Sequence, residues 1–164
     1  YYANAYFGVA QCCQIDALRS VIEQVKDKCV ENVLLTVLMS VMSAAASTTT
    51  HFAQFLKVKS PSTCENLLSK RKINIIEECK ALLKEYRNSG LCSKQECAEY
   101  DCYNLDFSEC LNSIVLNSST LVYADPPYFK EHYSRYYHVL NTLCLYQEHT
   151  GAKHFQRSAS GRIG

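Results

Sequence analysis

The chain has almost no net charge: 17 Lys and Arg against 16 Asp and Glu leave a formal +1 over 164 residues. No global basic field announces a nucleic-acid partner, so any such contact has to come from local clusters. No basic-then-apolar leader opens the chain, and no apolar run is read as long enough to cross a bilayer, so a soluble cytoplasmic protein, not a membrane one, is expected. Metal-type cysteine pairing is missing as well. The ten cysteines include the adjacent Cys12-Cys13 and the series Cys92, Cys97, Cys102, without the C-x2-C pairs of zinc sites or histidines at ligand spacing, and no metal site is expected. They are scattered through helical segments rather than a short loop-rich chain, and read as small thiols in a reducing cytosol instead of a disulfide scaffold. Internal repeats and low-complexity linkers are absent too. What is there is ordinary globular composition, 48% hydrophobic and 20% charged, in a chain of one-domain size able to bury a core.

Most of the first ninety residues carry helical periodicity. Residues 1–14 give no clear period beyond a turn over 4–8. Ile15, Leu18, Ile22 and Val25 then recur at three and four, predicting an amphipathic helix that ends near Cys29, with Asp16 in its first turn and Lys26 and Lys28 in its last. A second helix runs through Val33, Leu34, Val37, Leu38, Val41 and Met42. It is apolar on most faces and therefore central, and the Ser47-Thr48-Thr49-Thr50 cluster stops it. Residues 51–59 interleave His51, Gln54, Lys57 and Lys59 with Phe52, Phe55 and Leu56, a mixture that suits either a core edge with solvated lysines or a DNA-facing surface. Ser60-Pro61-Ser62 opens one long helix with Leu67 or Leu68, Ile75, Ile76, Cys79, Leu82, Leu83 and Tyr86 inward, ending at Asn88-Ser89-Gly90. On it lies the densest basic cluster, Lys70-Arg71-Lys72, either a solvated face or a phosphate-contacting patch.

After Gly90 the pattern changes. Residues 96–103 read as a strand, 106–111 as a short helix that Asp106 can cap, and 119–124 as a second strand, which together make a βαβ unit with a right-handed crossover. That last strand ends on Asp125-Pro126-Pro127-Tyr128. Asp125 and Pro126 each precede a proline and are pushed to extended geometry, and neither proline offers an N–H. The result is a stiff projection at the carboxyl end of a strand, presenting a carboxylate, carbonyl oxygens and an aromatic ring where open α/β sheets place their ligands. This set suits alkylation of an exocyclic amine such as that of adenine, a poor nucleophile whose lone pair is delocalised into the ring. Asp125 and the Pro126 carbonyl can accept its two hydrogens. Tyr128 can stack on a base taken out of its duplex, which returns roughly 1–3 kcal/mol. Beyond it, residues 133–147 read mostly as helix. Tyr133, Tyr136 and Tyr137 there either close over the base or pack inward, and Arg135 either holds a phosphate or is solvated. The tail from 149 to 164 has no apolar period.

Asp125-Pro126-Pro127-Tyr128 after an apolar run resembles the catalytic motif of S-adenosylmethionine-dependent N6-adenine DNA methyltransferases, and its surroundings resemble the Dam-type branch of bacterial and phage modification enzymes. At about 5% proline usage the tetrapeptide arises by chance in roughly one chain of this length in a thousand, so the match is specific. Tyr133-Ser134-Arg135-Tyr136-Tyr137-His138 with Leu140 and Thr142-Leu143 is similar to the segment that follows the motif in such enzymes. Ile15-Asp16-Ala17-Leu18-Arg19 and His51-Phe52-Ala53-Gln54-Phe55-Leu56-Lys57 are similar to their upstream segments, in the same order.

The resemblance implies an α/β fold: a partial Rossmann-like S-adenosylmethionine methyltransferase sheet, βαβ with the catalytic strand, plus a helical recognition region. Residues 1–90 would recognise the target and residues 91–164 would form part of the catalytic core. Asp125, Pro126, Pro127 and Tyr128 would be catalytic. Asn104-Leu105-Asp106-Phe107 resembles the family's Asp-Phe element that contacts the adenine part of S-adenosylmethionine, which implies Asp106 and Phe107 as cofactor residues. Lys57, Lys70, Arg71, Lys72 and Arg135 would face DNA. Double-stranded DNA is the implied partner, with a cognate restriction endonuclease as a further one in a restriction-modification or phage setting. The family's Phe-x-Gly-x-Gly cofactor loop has no counterpart among Gly8, Gly90, Gly151, Gly161 and Gly164. The strands expected after the motif are also missing, so the chain is read as an internal piece of a larger enzyme, inactive alone. A noncatalytic remnant or helical interaction module, and an RNA adenine methyltransferase, stay open as other readings.

Overall fold

The computed structural model describes residues 2–49, 51–89, 101–125 and 134–145. Among the described residues the regular elements are α1 (Val9–Ile22), α2 (Lys28–Ala45), α3 (Pro61–Arg71), α4 (Ile75–Asn88), α5 (Phe107–Ser113) and α6 (Ser134–Cys144). The chain divides into two compact units, Tyr1–Leu83 with His132–Gly164, and Lys84–Glu131.

In the first unit the chain opens with a tight turn. The N–H groups of Ala5 and Tyr6 both reach the Tyr2 carbonyl at 3.2 Å, and Asn4 donates to the Phe7 carbonyl at 2.7 Å. Asn4 has φ 62°, a left-handed conformation that asparagine tolerates better than most side chains. The turn buries Tyr6 and Phe7 and delivers Gly8 as the N-cap of α1. The first helix therefore begins at Val9, ahead of its apolar period, and stops at Ile22 instead of continuing to Cys29. Asp27 ends the connection by accepting from the N–H groups of Cys29 and Val30 at 2.8 and 3.2 Å, a cap worth about 1 kcal/mol.

Helix α2 packs on α1 and supplies the centre of the unit. Its Val37, Leu38, Val41, Met42 and Ala45 are buried, together with Ile15 and Ile22 of α1, Phe52, and Val139 and Leu143 of α6. Each large apolar side chain buried this way contributes about 1.5–3 kcal/mol. By length and composition α2 also qualifies as a membrane span, with 18 residues of mean hydropathy 1.4, which corrects the expectation that no segment reaches that length. Its buried positions lie in its C-terminal half, against α1, while Val30 and Val33 nearer its start are exposed.

The single long helix expected over residues 60–90 is two helices, α3 and α4, broken at Lys72-Ile73-Asn74. Side chains take up the backbone groups that the break releases. Asn74 Oδ1 accepts from the N–H groups of Ile76 and Glu77 at 3.1 and 3.2 Å, and Gln14 Oε1 accepts from that of Ile75 at 2.9 Å. The new start allows Ile75 and Cys79 to turn inward, where both are buried. Burial, with Glu78 beside it, pushes the Cys79 thiol from 9.0 up to about 11. The described cysteines are free thiols, and no group of three or more metal-ligating side chains occurs among the described residues.

The second unit overturns the expected α/β architecture. Neither a strand nor a sheet exists among the described residues; the β-type pairings there are two isolated bridges in the other unit, Ala3 with Phe7 and Thr48 with Phe55. The partial Rossmann-like sheet and its βαβ unit are thus absent where they could be observed. Residues 101–103 and 121–125 have no regular structure, while residues 96–100 lie outside the described residues. The physical reason is exposure. An apolar, β-branched run becomes a strand when neighbours pair its backbone and cover its faces, whereas Leu121 and Tyr123 are 93% and 84% exposed. The short helix expected at 106–111 does form, as α5 over Phe107–Ser113.

Candidate functional site

In the second unit, the segment that leads to Asp125 starts from a turn built by Asn117 and Thr120. The Thr120 N–H donates to the Asn117 carbonyl at 3.0 Å, Thr120 Oγ1 accepts from the Asn117 N–H at 2.9 Å, and Asn117 Oδ1 accepts from the Ser119 N–H at 2.9 Å. These bonds fix the direction in which residues 121–125 leave the turn. Asp125 ends this described stretch with an exposed side chain. Pro126, Pro127 and Tyr128 lie outside the described residues, as does Tyr133. Upstream in the same unit, Asp106 is the N-cap of α5, its carboxylate accepting from the Ser108 N–H at 2.9 Å. Beside it Phe107 is 74% exposed, a ring face open to a planar ligand. Tyr103 donates to the Asp101 carboxylate at 3.3 Å, and that negative charge, ahead of a smaller effect of burial, raises the pKa of the phenol.

The basic residues singled out from the sequence fall in the first unit, where they divide by environment. Arg71 points inward: Nη1 donates to the Phe7 carbonyl at 2.5 Å, Nη2 to the Ala5 carbonyl at 3.2 Å and Nε to Ser47 Oγ at 3.3 Å. Lys70 donates from Nζ to the Ala44 carbonyl at the end of α2. Lys72, the C-cap of α3, is exposed, as are Lys57 and Arg135. Lys57 Nζ lies 5.9 Å from the Phe55 ring centroid, a cation–π contact that leaves the ammonium in water. Of the three adjacent cations, two are tied to backbone carbonyls of their own unit and one is presented.

The tyrosines expected near the base also divide. On α6, Tyr136 packs edge-on against His51 with centroids 5.4 Å apart, while Tyr137 is exposed. His138 sits among aromatic rings, 5.6 Å from Tyr2 and 5.9 Å from Tyr6. Tyr2 shares a hydrogen bond of 3.1 Å with Thr142 Oγ1, Tyr6 donates to the Phe52 carbonyl, and Arg19 Nε donates to the Leu143 carbonyl at 2.9 Å. Helix α6 is thereby fastened to the N-terminal turn and α1. Burial, with Tyr2 as the lesser influence, raises the pKa of the Tyr6 phenol.

Two residues that sequence reasoning passed over tie this unit together. Gln11, 2% exposed, accepts from the Gly8 N–H at 2.9 Å and donates to the carbonyls of Lys70 and Ile73 at 2.8 and 2.9 Å. Gln14, one turn further on, holds the first N–H of α4. A glutamine three residues after a helix start is the one available signal, because its side chain can reach back to the cap. Its long-range partners have no signature in sequence.

The described residues do not by themselves complete a cofactor cradle. Gly8 is the one glycine among them; it is the N-cap of α1, and a Cβ there would meet the Arg71 and Gln11 side chains at 3.4 and 3.6 Å. One oxygen of Asp106, Oδ1, already caps a helix, and what the pair offers is the ring of Phe107 and the second carboxylate oxygen of Asp106.

A family model described as D12 class N6 adenine-specific DNA methyltransferase matches residues 1–162. No curated protein and no solved structure matches the chain. The family match covers both units, from the N-terminal turn through Asp125-Pro126-Pro127-Tyr128 and beyond α6. The chain belongs to the D12 class of N6 adenine-specific DNA methyltransferases, enzymes that methylate DNA.

Proposed function

We propose that the chain transfers the methyl group of S-adenosylmethionine to N6 of an adenine swung out of duplex DNA, in a restriction-modification or phage setting. The observation that carries this reading is the exposed segment of residues 121–125, followed in the sequence by Pro126-Pro127-Tyr128 in a chain of this family. Asp125 and the Pro126 carbonyl accept the two hydrogens of the adenine amine, drawing the nitrogen toward tetrahedral geometry. Pro127 keeps that carbonyl in an extended backbone, and Tyr128 stacks on the base. Such positioning can account for about 7–11 kcal/mol of a barrier. After transfer the surplus proton passes to Asp125 or solvent.

S-adenosylmethionine supplies the activated methyl. Phe107 offers a face to its adenine ring and Asp106 a carboxylate edge, and no step is assigned to a glycine loop. Residues 1–90 serve recognition and 91–164 catalysis. Exposed Lys57, Lys72 and Arg135 meet phosphates of double-stranded DNA, and a cognate restriction endonuclease is the natural companion. Lys70 and Arg71, held to backbone carbonyls, brace the end of α3 that carries Lys72.

The test is labelled-methyl transfer to duplex DNA by the whole product of the gene. Asp125→Ala is expected to abolish transfer and leave DNA affinity nearly intact; undiminished turnover would sink the assignment.

A further inference from the structure

The corner between α3 and α4 is held with more hydrogen bonds than a simple change of direction needs. Its N-terminal side is clamped at the Lys70 carbonyl and its far side at the Ile73 carbonyl, both by the Gln11 amide at 2.8 and 2.9 Å. Between those clamps lie Arg71 and Lys72. The Arg71 guanidinium is drawn to the Ala5 and Phe7 carbonyls and Ser47, and Lys72 is left exposed. The start of α4 offers no anion site, because the N–H groups of Ile75, Ile76 and Glu77 are already taken by Gln14 and Asn74. If packing were all that mattered, an apolar side chain would serve at a position as buried as Gln11. A buried amide with three bonds fixes direction instead, because each bond left unmade carries a penalty.

We infer that Gln11 and Arg71 are positioning residues for DNA recognition: they lock the α3–α4 corner so that Lys72 projects in one fixed direction toward a phosphate of the duplex. The inference rests on the reading of Lys72 as a phosphate contact and adds what aims it. The rotation of the corner is set by which carbonyls Gln11 holds. Releasing them lets Lys72 swing, so its contact with DNA averages out without any loss of charge.

A double-mutant cycle on the whole gene product, read as affinity for duplex DNA and its salt dependence, tests this. Lys72→Gln is expected to weaken binding about fivefold and lower the salt slope by about 1. Gln11→Met keeps the shape of the side chain and removes its amide; it is expected to cost about the same in affinity, and adding Lys72→Gln to it to cost nothing more. Arg71→Lys, which keeps the charge and loses the fork, gives the same cycle if Gln11→Met fails to fold. Equal effects of Lys72→Gln in both backgrounds would reduce Gln11 to a structural role and overturn the inference, as would no effect of Lys72→Gln in either. A wild-type protein without DNA affinity fails the proposed function itself, a result distinct from both.

Discussion

Replacing Arg71 by methionine separates the two readings of the basic cluster most sharply. The substitution keeps the aliphatic stem and removes a guanidinium with three partners: the Phe7 carbonyl at 2.5 Å, the Ala5 carbonyl at 3.2 Å and Ser47 Oγ at 3.3 Å. All three bonds are charge-assisted; the shortest counts for about 2 kcal/mol, and the two long ones, weakened by distance, for about 0.5 kcal/mol each. The Phe7 carbonyl also accepts from the Asn4 N–H at 2.7 Å, so it is not orphaned; Ser47, 1% exposed, loses its Arg71 partner, so the sum is a minimum. The sum, about 3 kcal/mol, is about two decades in the folding equilibrium. In urea unfolding followed by far-ultraviolet circular dichroism, with an m-value of about 2 kcal/mol/M, the midpoint should fall by about 1.5 M. The neighbouring Lys72→Met removes the same charge from an exposed side chain and should stay within about 0.5 kcal/mol of the parent. Equal shifts for the two variants would refute the division into one internal and one presented cation.

Leu38→Ala in α2, where the side chain is 1% exposed, should destabilise by about 2.7–5 kcal/mol. Val30→Ser, at the exposed start of the same helix, should change stability by no more than about 0.5 kcal/mol. If both were silent in urea unfolding, α2 would not be the core helix of the first unit. Cys79, whose thiol rises from 9.0 to about 11 in the folded chain, contributes stability that is whole below pH 9 and is lost as pH rises toward 11. Unfolding midpoints at pH 8 and pH 10.5 should therefore fall further in the parent than in Cys79→Ala, and parallel declines would remove the linkage.

The sequence by itself determined the family, through the short-range chemistry of Asp125-Pro126-Pro127-Tyr128 and the order of its flanking segments, as the match over residues 1–162 bears out. Local signals also announced α2, the capping of α5 by Asp106 and the inward face of Ile75 and Cys79, because periodicity and capping act within a few residues. Only the tertiary structure decided that residues 121–125 are exposed rather than a buried strand, since the same apolar pattern needs partners that a local reading cannot count. It alone broke the long helix at Lys72-Ile73-Asn74 and turned Arg71 inward, because Gln11 lies 59 and 62 residues from the carbonyls of Lys70 and Ile73 that it holds. Three consecutive basic residues look alike in a sequence. What distinguishes them is which carbonyls the fold brings within reach, and that is set by packing far along the chain.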